Sequence, residues 1–133
     1  MATLLRLARM PWPLPLGGLG ARRSLLGMGN FCSAAAHALI TPQCAGGTYL
    51  LADGPPLTVG EIVASFRAAL GRPAGILKVP LWGGASALAF AGKGDLAGRL
   101  FGDLIADTAA FQATGWRPPY TTAQGLADAV AST

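Results

Sequence analysis

The segment from Thr58 to Pro73 carries the strongest folding signal in this sequence, a helix with defined start and stop residues. Thr58 and Glu61 have the spacing of a capping box, in which the two residues cap each other's backbone amides. Gly71 and Pro73 are typical of a helix end. The apolar residues between these signals recur at helical spacing and are Val59, Ile62, Val63, Phe66 and Leu70. The sequence therefore predicts an amphipathic helix over 58–71.

Two helices are predicted before this one. Residues 2–10 have apolar residues at helical spacing and end before Pro11, and Asn30 is a suitable N-cap for a helix that runs to about residue 40. The predicted inward face of this second helix consists of Phe31, Ala34, Ala35, Ala38 and Leu39.

The C-terminal part of the chain is also predicted to be largely helical. Residues 81–102 are rich in glycine and alanine, with a helical pattern. Asp107 or Thr108 caps a short helix that ends at Gly115, and Thr122 caps a final helix that runs to about residue 132.

Three short strands are predicted, at 48–52, 76–79 and 104–106. The expected fold class is therefore α/β, mostly helical with a few short strands.

Composition indicates that part of the surface is covered by something else. The 133 residues suit one domain or a substantial piece of one. Apolar residues make up 52% and charged residues only 12%, about half of the usual ~25% charged share. Contiguous exposed apolar surface usually marks an interface, and a missing half-domain would serve as the partner.

The net charge of +4 is concentrated near the N-terminus. The first 52 residues contain no acidic residue, while residues 53–133 carry six basic and six acidic ones. Such a segment suits phosphate groups, a membrane surface or an organelle transit peptide. Nucleic acid is the weakest interpretation, because no dense Lys/Arg cluster with interleaved aromatics is present. The four basic residues of the segment are Arg6, Arg9, Arg22 and Arg23.

Several classes of site are disfavoured. Residues 24–52 carry no charge, but their polar residues and Pro42 make a poor membrane span. Cys32 and Cys44 lack C-x-x-C spacing, which indicates ordinary cysteines in a reducing compartment. With His37 as the one histidine, in an alanine-rich helix, no metal cluster is predicted and a packed residue is favoured over a base.

The sequence lacks the residues that oxidoreductase chemistry usually requires. The glycines at 17–20 follow a proline-rich loop and not a strand, so they do not form a dinucleotide-binding turn. A tyrosine followed one helical turn later by lysine would give a tuned base. Tyr49 is followed at that spacing by Asp53, and Tyr120 by Gln124. No catalytic, cofactor-binding or metal-binding residue is predicted.

Arg22 and Arg23 are the best candidates for ligand binding from residue chemistry. Guanidinium groups bind diphosphates bidentately, so an arginine pair beside a Pro/Gly loop can clamp phosphates. A solvated surface pair explains the same residues equally well.

The order of these pieces resembles the extended short-chain dehydrogenases/reductases, specifically the NAD-dependent epimerase/dehydratase family that is similar to UDP-glucose 4-epimerase. The resemblance covers nearly the whole chain. It is carried by LLRLAR at 4–9, PLPLG at 13–17, RRSLL at 22–26, GTYLLADG at 47–54, LTVGEI at 57–62, LGRP at 70–73 and GWRP at 115–118.

The resemblance implies a Rossmann domain with a smaller C-terminal substrate lobe, and only the lobe is expected here. The family's glycine loop and Tyr-x-x-x-Lys pair precede everything in this sequence, so NAD is implied for the full-length family but not bound by this chain alone. Arg23 matches the arginine that the family directs at the diphosphate, and Arg99 is a weaker second phosphate candidate. The loop near the nucleotide base is matched by Pro13, Leu14, Pro15, Leu16 and Gly17.

The resemblance also sets the expected organisation. Residues 1–28 are the end of a helix plus the Pro/Gly substrate loop, and residues 29–133 form the substrate-binding lobe of one truncated domain. Family members commonly have His and Asp where this chain has Gly27 and Gly29. Two glycines add backbone freedom, so we expect weaker packing of this segment against a cofactor domain.

The leading hypothesis is a nucleotide-sugar-binding portion, inactive alone, that binds a UDP-sugar. A separate Rossmann half or a homo-oligomer would be its protein partner. The alternative is a non-catalytic protein-interaction fragment or relic that uses its exposed apolar surface. A cytoplasmic location is expected, with organelle import through the Arg-bearing N-terminus as the other option.

Overall fold

A computed structural model of the chain describes residues 2–78 and 102–132. Helix α1 spans Ala2–Arg9, strand β1 Arg22–Arg23, helix α2 Met28–Ile40 and a 3₁₀ turn Pro42–Cys44. Strand β2 spans Leu57–Thr58, helix α3 Val59–Ala69, helix α4 Ala109–Gln112 and helix α5 Thr122–Ala131. The described part of the protein is thus mostly helical, with two short strands.

Helix α3 is the central element, as its sequence predicts. The Thr58 hydroxyl accepts from the Glu61 amide at 3.2 Å, and the Glu61 carboxylate accepts from the Thr58 amide at 2.7 Å. Gly71 ends the helix with a φ of 69°, a left-handed conformation that glycine adopts without strain. The apolar face of α3 packs against α1 on one side and α5 on the other. The buried members of this first core are Leu5, Ala8, Ile62, Val63, Phe66 and Leu126.

A second, smaller core lies around the ring of Phe111 in α4. The ring centroids of Trp116 and Tyr49 lie 5.3 Å and 5.2 Å from that of Phe111. His37 of α2 contacts the same ring edge-on at 5.7 Å, and its Nε2 lies 3.0 Å from the Thr114 hydroxyl. This core joins α2 to α4.

The predicted strands are wrong in position. The one ladder of two named strands in the described ranges pairs Arg22 with Thr58 and Arg23 with Leu57, antiparallel. Residues 48–52 form no ladder, and Ile76 and Leu104 each form a single bridge, to Leu14 and Arg23 respectively. A β-rich segment becomes a strand only when a partner strand lies beside it. Val79 and residues 81–101 lie outside the described residues.

The predicted start and inward face of α2 are also wrong. The helix begins at Met28 with Gly27 as its N-cap, and Asn30 lies inside the first turn, 1% exposed. Ala34 is buried as predicted, but Phe31 is 49% exposed and Leu39 is 87% exposed. The helix is rotated because the polar Asn30 side chain finds hydrogen-bond partners in the interior, which sets the inward face. At α5 the N-cap is Thr121, because Gln124 then completes a capping box.

The capping boxes of α3 and α5 differ in charge, since the first contains Glu61 and the second Gln124. Comparing them therefore tests what the Glu61 carboxylate contributes to stability. The pKa of Glu61 is lowered, chiefly because the Thr58 backbone amide and then its hydroxyl donate to the carboxylate. This stabilisation is present above the unfolded-state pKa of Glu61 and is lost as pH falls through the lower folded-state pKa. We expect Thr58→Ala to reduce the free energy of unfolding by about 1 kcal/mol at neutral pH, and by less in acid.

Thr121→Ala is the control, because its partner Gln124 does not titrate. Urea unfolding of both variants at neutral pH and at about pH 3 measures the difference. A Thr58→Ala effect that stays constant with pH would contradict the role given to the Glu61 carboxylate.

Within the described ranges, no helix is both long enough and apolar enough to cross a membrane.

Candidate functional site

The arginine pair forms strand β1, which is held by its neighbours on both edges. Arg23 pairs with Leu57 of β2. On the other edge, the Leu104 amide donates to the Arg22 carbonyl and the Ser24 amide donates to the Leu104 carbonyl, each at 2.8 Å. Successive side chains of a strand point to opposite faces, so Arg22 and Arg23 do not act side by side. Arg22 is exposed and Arg23 is half-buried.

The two arginines also differ in their electrostatic surroundings. The Arg22 charge contributes to the lowered pKa of Glu61, after the hydrogen bonds from Thr58. The Asp103 carboxylate accepts from the Arg22 amide at 2.7 Å. Among the residues that the structure describes, the Arg23 guanidinium has neither a hydrogen bond nor an acidic partner. The Arg22 guanidinium likewise has no hydrogen bond there, so the two cations differ in exposure and in the nearness of Arg22 to Glu61.

The loop Pro13–Gly17 is tied to the chain segment that follows α3. The Leu14 amide donates to the Gly75 carbonyl at 2.8 Å, and the Leu77 amide donates to the Leu14 carbonyl at 2.9 Å. The Gly17 amide donates to the Leu77 carbonyl at 3.0 Å. Leu14 and Leu16 pack partly buried against the first core, while Pro13, Pro15 and Gly17 are exposed. The exposed residues of the loop are thus presented from a fixed backbone.

The loop and the arginine pair meet at the first turn of α3. A Cβ at Gly60 would lie 3.2 Å from the Leu16 carbonyl oxygen, so the loop contacts the helix closely there. Arg22 lies opposite Thr58, the N-cap of the same helix. Both the loop, through Leu16, and β1, through Arg22, therefore lie beside the first turn of α3. Arg99, the second phosphate candidate, lies outside the described residues.

A buried polar network that the sequence did not reveal anchors the start of α2. The two Asp53 carboxylate oxygens each lie 2.9 Å from the Gly27 amide, and the Asn30 side chain donates to Asp53 at 2.7 Å. The Asn30 amide group also pairs with the Tyr120 backbone, donating to its carbonyl at 2.8 Å and accepting from its N–H at 3.0 Å. One side chain thus joins segments that are 23 and 90 residues away.

A cavity of about 560 Å³ lies beside this network. Leu25, Met28, Tyr120 and Leu126 line it together with two acidic residues, Asp53 and Asp128. No Lys or Arg is among its described lining residues. An acidic cavity disfavours a diphosphate, so its lining is unsuited to an anion site.

Gly27 and Gly29 lie at the edge of this cavity in close packing. A Cβ at Gly27 would lie 3.4 Å from both the Asp53 carboxylate and the Gly125 Cα. A Cβ at Gly29 would lie 3.0 Å from the Tyr120 ring, which is tighter than ordinary contact. Both glycines thus permit close approach of the C-terminal segment to α2.

Two other reactive side chains, Tyr49 and His37, have structural partners. The Tyr49 hydroxyl donates to the Gln43 carbonyl at 3.1 Å, and His37 packs in the second core. Cys44 is buried and Cys32 exposed, and both are free thiols. No group of three metal-ligating side chains occurs in residues 2–78 and 102–132.

Comparison with known proteins identifies a distant relative. The chain is 32% identical over 127 residues to UDP-glucose 4-epimerase of Vibrio cholerae. The match covers 94% of this chain and 39% of the length of that protein. No family model matches the chain, and no solved structure matches it.

The chain is therefore distantly homologous to one part of UDP-glucose 4-epimerase, an extended short-chain dehydrogenase/reductase of an NAD-dependent family. This finding confirms the resemblance predicted from the sequence motifs. The chain spans about two fifths of the relative's length, 39%.

Proposed function

We propose that this chain is the C-terminal nucleotide-sugar-binding portion of an NAD-dependent epimerase/dehydratase of the nucleotide-sugar 4-epimerase type. A UDP-sugar is the proposed ligand. The chain has no Tyr-x-x-x-Lys pair and no dinucleotide-binding glycine turn, so we propose that it is inactive on its own and that catalysis needs a separate Rossmann half with bound NAD.

The observation that carries this proposal is that Arg23 and a loop held by backbone hydrogen bonds both lie near the start of α3. Arg23 has no acidic partner among the residues described, and the Pro13–Gly17 loop contacts the first turn of α3 at Gly60. A guanidinium without an internal partner retains its full capacity for bidentate hydrogen bonds to a diphosphate. We propose that Arg23 binds the diphosphate and that the exposed Pro13, Pro15 and Gly17 border the nucleotide base. Arg99 is proposed as a second phosphate ligand.

Calorimetric titration of the purified chain with UDP-glucose and with UDP tests this function. Arg23→Ala should weaken binding about tenfold or more, because a charge-assisted hydrogen bond contributes ~1.5–3 kcal/mol and 1.4 kcal/mol is tenfold. Arg22→Ala is the matched control. We expect it to change affinity less than about threefold, since Arg22 points to the opposite face and lies near Glu61. A folded wild-type chain that binds neither compound would refute the proposal.

A specific observation also supports the alternative of a protein-interaction fragment. Leu50, Leu104 and Ile105 are 58%, 65% and 55% exposed and line a shallow cavity of about 220 Å³. An apolar cluster of this kind is typical of a surface covered by another polypeptide. The same surface fits a Rossmann half equally well, so it does not distinguish the two proposed functions. Ligand binding distinguishes them. UDP binding that depends on Arg23 favours the substrate lobe, and its absence favours the interaction fragment.

A further inference from the structure

Arg67 is a buried arginine near the C-terminal end of α3, only 3% exposed. Its Nη1 donates to the Ala74 and Gly75 carbonyls at 3.2 Å and 3.3 Å. Its Nη2 donates to the Met10 and Trp12 carbonyls at 3.1 Å and 2.6 Å. Arg67 has no acidic partner in the described ranges, and its buried Nε has no hydrogen-bond partner there.

A buried charge without a counter-charge is unfavourable unless polar groups replace its lost hydration. Here four carbonyl dipoles do so, and they come from two segments that are far apart in sequence. One segment leads out of α1 into the Pro/Gly loop, and the other follows α3. The guanidinium therefore fixes the distance between these two segments. A shorter or apolar side chain could not hydrogen-bond to both of them.

The Gly75 carbonyl couples this contact to the loop Pro13–Gly17. It accepts from Arg67 Nη1 and also from the Leu14 amide at 2.8 Å. The hydrogen bond that the Leu14 amide donates is the first of those that tie the loop to residues 75–77. On the other side, the Trp12 carbonyl held by Arg67 immediately precedes Pro13. Arg67 therefore holds both the start of the loop and the strand-like segment against which the loop lies.

We propose that Arg67 is a positioning residue that sets the conformation of the Pro13–Gly17 loop and thereby the affinity for the nucleotide, without touching the ligand. This inference rests on the proposed function for its ligand, a UDP-containing compound. The loop-positioning part stands on the contacts alone.

Gly75 shows how closely the guanidinium is fitted. Its φ is 54°, and a Cβ there would overlap Arg67 Nη1. Gly71 also has a positive φ, 69°, but a Cβ there would meet no atom of residues 2–78 and 102–132 within 4 Å. Gly75→Ala and Gly71→Ala therefore introduce similar backbone strain, and only the first displaces Arg67.

The experiment compares the wild type with Arg67→Met, Gly75→Ala and Gly71→Ala by residue-resolved hydrogen exchange and by UDP titration. In Arg67→Met and Gly75→Ala we expect the Leu14 and Gly17 amides to exchange about tenfold faster or more, from loss of a contact worth ~1.4 kcal/mol. The hydrogen-exchange rates of the α5 amides should change only as far as global stability changes. UDP affinity should fall by a similar factor, about tenfold, while Gly71→Ala leaves both the loop and the affinity unchanged.

Two results would overturn the inference. Loop amides that exchange at the wild-type rate in both variants would show that Arg67 does not position the loop. Unchanged UDP affinity in a variant with an unprotected loop would show that the positioning has no effect on the ligand. If Arg67→Met does not fold, Arg67→Lys takes its place, because a single ammonium lacks the forked donors that reach all four carbonyls. A wild type that does not bind UDP refutes the proposed function, while the exchange rates still decide whether Arg67 positions the loop.

Discussion

Replacement of Phe66 by alanine should lower the free energy of unfolding by about 3–5 kcal/mol, which would leave little of the chain folded. Phe66 is 1% exposed and lies where α3 packs between α1 and α5. Removing its ring deletes apolar contacts and leaves a cavity that Ile62 and Val63, themselves fully buried, hold open. Urea unfolding followed by far-ultraviolet circular dichroism measures the effect.

Phe31→Ala is the matched control for this prediction. Phe31 has the same side chain but is 49% exposed on α2, so its loss should change stability by less than about 1 kcal/mol. Equal effects for the two phenylalanines would contradict the assignment of the first core to α1, α3 and α5.

Replacement of Asp53 by alanine should lower the free energy of unfolding by about 3 kcal/mol, because it leaves one buried and one half-buried donor unsatisfied at ~1–3 kcal/mol each. These donors are the Gly27 amide at the start of α2 and the Asn30 side chain. The variant also removes a negative charge from the helix N-terminus, where it is favourable. Asp53→Asn keeps the shape of the side chain and one acceptor, so it should have a smaller effect.

Asp128→Ala provides the control, because Asp128 is exposed on α5 and its carboxylate has no hydrogen bond within the described ranges. We expect it to change stability by less than about 0.5 kcal/mol. If Asp53→Ala were as mild as Asp128→Ala in urea unfolding, the network of Asn30, Asp53 and Tyr120 would not anchor α2.

Local signals predicted the helices and failed for features that depend on distant contacts. The start of α3 was predictable because Thr58 and Glu61 satisfy each other within one turn. Asn30 is also a typical N-cap residue, but its side-chain amide pairs with Tyr120, 90 residues away, and the N-cap is Gly27, three residues earlier. No pattern in the sequence near Asn30 specifies that partner.

The strand predictions failed for a related reason. Residues 48–52 have strand composition, yet no backbone hydrogen bond joins them to a neighbouring strand in the described structure, and the nearest such bond, from the Asp53 amide to the Leu25 carbonyl, lies just after them. Strand formation depends on a neighbouring strand, and Leu50 remains 58% exposed. The strands that do form, Arg22–Arg23 and Leu57–Thr58, are only two residues long, below the length at which alternation can be detected.

The geometry of the candidate site could not be predicted from the sequence. From the sequence, Arg22 and Arg23 were candidates to clamp phosphates together. In the structure, strand β1 directs their side chains to opposite faces, and Arg22 lies near Glu61. Arg67 was missed altogether, because an arginine beside Phe66 on an amphipathic helix reads as a solvated residue. The available signal was its spacing of four residues from Val63 on the edge of the apolar face, together with Gly75 in the following loop.

The most direct test of the central claim, that this chain binds the nucleotide part of a UDP-sugar, is a titration of the ¹⁵N-labelled chain with UDP followed by amide chemical shifts. The account predicts saturable shifts at Leu14, Leu16 and Gly17 of the loop and at Arg23, with the second core around Phe111 unchanged. A folded chain whose amide shifts do not move, or move only around the acidic cavity beside Asp53, would contradict it.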